Sequence, residues 1–151
     1  MLAVIQPDIP GRPHLSLPFT RDELARIEKR VQDEYLVKLG ISGSPTSMEK
    51  VLSHLPDASV VHFACHGTQD HTRPLESALL LADGGLKIST IMKSPLPNAR
   101  LAFLSACETA KGDDNVPDEA IHIAATMLFA GFQGVVGTMW CVFCFFLEDI
   151  R

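Results

Sequence analysis

Two patterns alternate along the chain. One is the short run that is apolar throughout or nearly so: Leu2–Ile5, Val60–Cys65, Leu79–Leu81, Leu101–Leu104 and Val135–Trp140. Runs of this length, rich in branched residues, predict strands. Because they do not alternate with polar residues, both of their faces should be covered, as in a parallel sheet between helices. The other pattern is the helical repeat. Leu24, Ile27 and Val31 follow Thr20-Arg-Asp-Glu23, and Met48, Val51, Leu52 and Leu55 follow Thr46-Ser-Met-Glu49 up to Pro56. Both tetrapeptides fit the capping box, in which the Thr hydroxyl and the Glu carboxylate each satisfy a helix-end N–H. A third helix is expected from Ala120 to Phe129, closed by Gly131, and a further short strand within Tyr35–Ile41. Leu86–Met92 fits either state. Residues 7–19, with four prolines and one glycine, read as a loop. Helices and strands in this order predict an α/β fold of three layers, with a mainly parallel sheet and right-handed crossovers.

Composition narrows the classes of function. The chain has 151 residues, 46% of them hydrophobic and 21% charged, which suits one globular domain and excludes a disordered one. The net charge is −5 and no basic run occurs, so the electrostatic footprint of a nucleic-acid binder is missing. The stretch Ala120–Leu147 is long and apolar enough to raise the question of a membrane span. Gly131, Gly134 and Gly137, with β-branched Val135, Val136 and Thr138, break it into a buried helix and a buried strand instead. Met1-Leu-Ala-Val-Ile-Gln-Pro7 has neither the basic start nor the long apolar run of a signal peptide. A cytoplasmic, reducing setting follows, in which Cys65, Cys107, Cys141 and Cys144 are thiols.

Ligands of open α/β sheets sit beyond the carboxyl ends of the strands. His66 follows the strand ending at Cys65, and Cys107 follows the strand ending at Leu104 by a short turn. If those strands are parallel neighbours, imidazole and thiol meet at one edge. A free thiol is only a few per cent ionised at neutral pH, and a nearby imidazole can take its proton. Gly67 would let the backbone approach a substrate closely, with its N–H toward a developing oxyanion. His62, His66 and Cys107 could instead hold a metal, but His62 reads better as packed in the sheet. Cys141-x-x-Cys144 has redox or zinc spacing but no second ligand pair and no helix start. No metal or other cofactor is therefore expected.

The motifs around these residues are more specific than the pair itself. His62-Phe-Ala-Cys-His66-Gly67, Pro74-Leu-Glu-Ser-Ala-Leu-Leu-Leu81, Leu101-Ala-Phe-Leu-Ser-Ala-Cys107-Glu-Thr109, Pro117-Asp-Glu-Ala-Ile-His122 and Ala130-Gly-Phe-Gln-Gly-Val-Val-Gly-Thr-Met-Trp140 together resemble the CHAT family of caspase-like cysteine peptidases, most closely its fungal members. The resemblance implies a caspase-like three-layer α/β sandwich acting on a peptide or protein substrate. It assigns His66 as general base and Cys107 as nucleophile, with an oxyanion hole of the Gly67 and Cys107 backbone N–H groups. It covers residues 1–140. Residues 141–151, Cys-Val-Phe-Cys-Phe-Phe-Leu-Glu-Asp-Ile-Arg, depart from it, as though the C-terminal part were truncated. Longer relatives often carry helical repeats, so a protein partner is a natural expectation. A catalytically idle interaction or scaffold module is the alternative. The loop after Cys107 holds Glu108, Asp113, Asp114, Asp118 and Glu119 against Lys111 alone. That balance favours a basic residue on the acyl side of the cut, with Asp118, Glu119 and Asp113 as candidate specificity residues.

Overall fold

In chain order the elements of the computed structural model are β1 (Leu2–Ile5), α1 (Thr20–Glu28), β2 (Val37–Leu39), α2 (Met48–His54), β3 (Val60–Ala64), β4 (His66–Thr68), β5 (Ala78–Leu81), β6 (Gly84–Lys87), α3 (Ile88–Ile91), β7 (Leu101–Leu104), α4 (His122–Phe129) and β8 (Gly134–Gly137). The structure describes residues 1–12, 14, 16–41, 46–68, 70, 72–105 and 122–137.

Five of these strands form one parallel sheet in the order β2-β1-β3-β7-β8. Three of the apolar runs that predicted strands, Leu2–Ile5, Val60–Cys65 and Leu101–Leu104, supply its central members, and Val135–Trp140 overlaps the edge strand β8. Leu2, Val4, Val61, Phe63, Ala102 and Leu104 face one side, where they share a core with Val51 and Leu55, with Ile88 and Ile91 of α3, and with Ile123 and Met127 of α4. Ala3, Ile5 and Ala64 face the other side, against Leu24 of α1. The two helix layers follow from handedness. The step from β1 to β2 runs one way across the sheet with α1 on one face. The steps from β2 to β3 and from β7 to β8 run the opposite way with α2 and α4 on the other face. A right-handed crossover that reverses direction must change face. The direction reverses between β1 and β3, which makes their carboxyl ends the switch point of the sheet.

Beyond β3 the chain leaves this sheet. β4, β5 and β6 form a separate three-stranded antiparallel sheet, with His66 opposite Leu80, Leu79 opposite Leu86, and Leu81 opposite Gly84. Leu79–Leu81, expected as a core strand, lies in β5, and Leu79, Leu81 and Leu86 reach the main core. The second sheet leaves no mark in the hydrophobic pattern, because β4 is only His-Gly-Thr. Leu86–Met92 divides between the end of β6 and α3.

Both capping boxes are corrected. At α1 the N-cap is Phe19 and no side chain caps the helix. Thr20 is already helical, and its hydroxyl donates to the Leu17 carbonyl at 2.8 Å. At α2 the cap is Ser47, whose side chain accepts from the Lys50 N–H. Thr46 is buried one residue earlier and donates to Gln6. The Asp83 carboxylate accepts from the Met48 N–H at 3.1 and 3.0 Å, a cap supplied from the β5–β6 turn. A capping motif competes with every other partner in reach, and here partners far along the chain win.

Candidate active site

The carboxyl edge of β3 is clamped on both sides. The Gln6 N–H donates to the Ala64 carbonyl, and the Ser105 N–H donates to the Phe63 carbonyl, each at 2.8 Å. The segments leaving β1 and β7 therefore stay in register with β3 just past the sheet. Between them the chain turns at Cys65 and starts β4 at His66. Cys65 packs in the main core, fully buried, and burial pushes its thiol up to about 12. An unpaired charge is costly where water is absent, so this sulfur stays protonated and unreactive. His66, its neighbour, is also buried, at 7% exposure, and stands opposite Leu80 across β4 and β5. Gly67 is buried beside it, opposite Leu79. A little further on, Asp70 organises the chain. Its carboxylate accepts from the Thr72 hydroxyl and N–H and from the Arg73 N–H, and these bonds hold its carboxyl below the usual range.

A cleft of about 290 Å³ opens at this end of the molecule, between the loop after β1 and the β5–β6 hairpin. Leu80 and Gly85 line it, and they continue the cross-strand row that begins at His66. Ile9, Pro10 and Arg12 form the facing wall. Pro10 and Gly11 occupy the middle of a turn closed by the Arg12 N–H on the Ile9 carbonyl, with Gly11 at φ +74°. Pro followed by a residue of positive φ is the type II pattern, which favours Gly at the second place.

One participant escaped the sequence reading. Glu23 does not turn back to the N-terminus of α1. Its Oε2 lies 2.9 Å from Nε2 of His62 on β3, and its Oε1 accepts from the Ser105 hydroxyl at 2.8 Å. The His62 ring is buried and stacks on Phe103 of β7, with centroids 5.1 Å apart. Thus His62 packs in the sheet and sets one ring nitrogen against a carboxylate. These partners lie 39 and 82 residues from Glu23, so no local motif could have indicated them.

Cys107, Asp113, Asp118, Glu119, Cys141, Cys144 and the whole 141–151 segment lie outside the described residues. Ser105, two positions before Cys107, directly follows β7, the strand next to the one that leads to His66.

Compared with known families, the sequence matches the CHAT domain over residues 2–144. The chain belongs to the CHAT domain family. That family is associated with a cysteine-peptidase-like fold, and this CHAT domain has the corresponding parallel sheet flanked by helices. No curated protein matches it significantly. Among the described residues no helix is long and apolar enough to cross a membrane.

Proposed function

We propose that this CHAT domain is a cysteine endopeptidase in which His66 and Cys107 form the catalytic dyad. The observation that carries the reading is the adjacency of β3 and β7. They are parallel, paired from Val60 with Leu101 to Phe63 with Leu104, and their carboxyl ends lead to His66 and toward Cys107. His66 takes the Cys107 proton, and the thiolate attacks the peptide carbonyl. The oxyanion is held by backbone N–H groups, for which Gly67 and Cys107 are the candidates. Collapse breaks the C–N bond, and the imidazolium gives its proton to the leaving amine. Water, deprotonated by His66, then hydrolyses the thioester and returns the thiol. No cofactor enters this cycle, and a cytoplasmic setting keeps the thiol reduced.

The proposed preference at the acyl side is for a basic residue. It rests on the net charge of −4 between Glu108 and Glu119, where Asp118, Glu119 and Asp113 are the candidate contacts. The cleft lined by Leu80 and Gly85 is a separate feature. Among the described residues of its lining the charged side chain is Arg12, which would repel a basic side chain, so the cleft suits an apolar or acidic residue of the substrate.

The test uses matched fluorogenic peptides differing only at the residue before the cut, at low and high salt. Cys107→Ala and His66→Ala should each abolish turnover, and the double variant should be no worse, because members of one catalytic unit are not additive. Full activity in Cys107→Ala refutes the dyad. Faster cleavage after Asp or Leu than after Arg or Lys refutes the basic preference. Slow labelling of Cys107 by an electrophilic peptide, with no turnover, supports the idle scaffold module instead.

A further inference from the structure

We infer that Glu23 is a positioning residue, which ties helix α1 to the two strands leading toward the dyad and fixes the side chain of Ser105, two positions before Cys107. The inference rests on the dyad reading above. Its grounds are geometric. The Glu23 carboxylate joins three elements: its own helix α1, His62 on β3, and Ser105 at the end of β7. Both of its oxygens are used, and the side chain is one-third exposed. His62 lies four residues before His66 on the same outgoing chain, and Ser105 lies two before Cys107. One side chain therefore tethers the approach to both dyad members.

Among the described residues, the apolar cluster that α1 packs into includes no residue of β7. On the α1 side of the sheet, Phe103 of β7 is 36% exposed and Val136 of β8 is 46% exposed. Leu24 packs against β1 and β3, on Ala3, Ile5 and Ala64. Among the described residues, the tie between α1 and the end of β7 is the Ser105 hydroxyl on Glu23. Without it, the Ser105 backbone is still held to Phe63, but its side chain loses its anchor. A reacting group misplaced by about 1 Å can cost about 100-fold in rate, so loss of this tether should appear in turnover more than in substrate affinity.

The replacement that separates position from charge is Glu23→Gln. The amide oxygen accepts from Ser105 as the carboxylate does, and the amide N–H donates to His62 Nε2 once the ring carries its proton on Nδ1, whereas the carboxylate accepts from a protonated Nε2. Position is kept and charge is lost. The experiment measures kcat and KM for wild type, Glu23→Ala, Glu23→Gln, Ser105→Ala and the Glu23→Ala/Ser105→Ala pair, well below the lowest melting temperature of the set. Hydrogen exchange over Phe103–Cys107 is followed in the same proteins. Glu23→Ala should lower kcat about 10- to 100-fold with KM changed less than about threefold, and exchange of the 103–107 segment should accelerate about tenfold. Glu23→Gln should return both to within about threefold of wild type. The double variant should match Glu23→Ala alone, because both changes remove the same contact.

Wild-type kcat and exchange in a folded Glu23→Ala protein would overturn the inference, as would losses that multiply in the double variant. Failure of Glu23→Gln to rescue would overturn it too. If Glu23→Ala does not fold, Ser105→Ala and Glu23→Gln carry the same comparison. A wild-type protein without turnover, or an active Cys107→Ala, would defeat the dyad reading instead. The exchange data would still decide whether Glu23 holds the segment.

Discussion

The alkaline limit of this fold should be set in part by one thiol that takes no part in the proposed chemistry. Cys65 is completely buried, and its pKa rises from 9.0 to about 12 for that reason. In the unfolded chain the same thiol ionises near the ordinary value. The folded pKa is the higher one, so the contribution to stability is complete below about pH 9 and is lost as pH rises toward 12. Three pH units of difference correspond to about 4 kcal/mol when fully developed, and to about 2 kcal/mol at pH ~10.5. The perturbation that isolates this effect is Cys65→Ala. The variant loses packing at every pH, but it has no thiol to ionise on unfolding. Urea titrations followed by circular dichroism at pH 8, 9, 10 and 10.5 should show the wild-type stability falling toward that of the variant, with the gap closing by about 2 kcal/mol over the range. Tyrosine and lysine titrate in both proteins and cancel in the difference. Parallel curves would refute the argument. The same shift predicts that Cys65 in the native protein reacts with iodoacetamide more slowly than in urea at pH 7.5, because its thiolate fraction there is about 1,000-fold lower. Raising the pH to activate a catalytic thiol would therefore be limited by unfolding driven by this buried one.

Two stability predictions complete the set. Gly40→Ala should abolish soluble folded protein: Gly40 has φ +89°, and a Cβ there would lie 1.5 Å from the Ile5 carbonyl oxygen at the end of β1, a backbone atom with nowhere to go. Asp83→Ala should lower the denaturation free energy by about 1 kcal/mol, the usual value of a helix cap, since it removes both acceptors from the first N–H of α2; chemical denaturation without that loss would argue against the cap.

Hydrophobic patterning made the central sheet legible because β1 and β3 are buried between helix layers, the circumstance that makes a strand apolar on both faces, and because β7 buries Ala102 and Leu104 in the main core while Phe103 on its other face stacks on His62. It failed at β4 for the converse reason. His66, Gly67 and Thr68 pair with β5 through backbone groups, and three residues of mixed polarity carry no period. The capping motifs failed differently. Thr-x-x-Glu is favourable at a helix start only if nothing better is in reach, and for Glu23 the sheet offered a histidine and a hydroxyl. The placement of His66 at a strand end was legible, and so was a parallel neighbour leading toward Cys107. The tether between those strands was not, because it joins residues from three separate parts of the chain.

Strand-end position by itself does not make a nucleophile, and Cys65 demonstrates this. Cys65 and Cys107 each follow an apolar strand of the central sheet, each preceded by alanine. Spacing alone would nominate either. What distinguishes Cys65 is the side on which it emerges. It falls in the main core with Val61 and Phe63, where its charged form is excluded. The residue after it begins β4, in the row that runs by way of Leu80 to the cleft. A displacement of one residue in this turn would exchange the thiol and the imidazole. The core would then hold a polar ring, and the edge a thiol with no base beside it. The turn at Cys65 is thus the step at which the chain's period decides which side chain is available for chemistry. A peptidase reading for Cys107 requires the opposite outcome at the next strand: access to water and to His66. Native alkylation rates of Cys65 and Cys107, measured side by side across pH, test that contrast directly. A Cys107 as inert as Cys65 would refute the nucleophile assignment, whatever family the sequence belongs to.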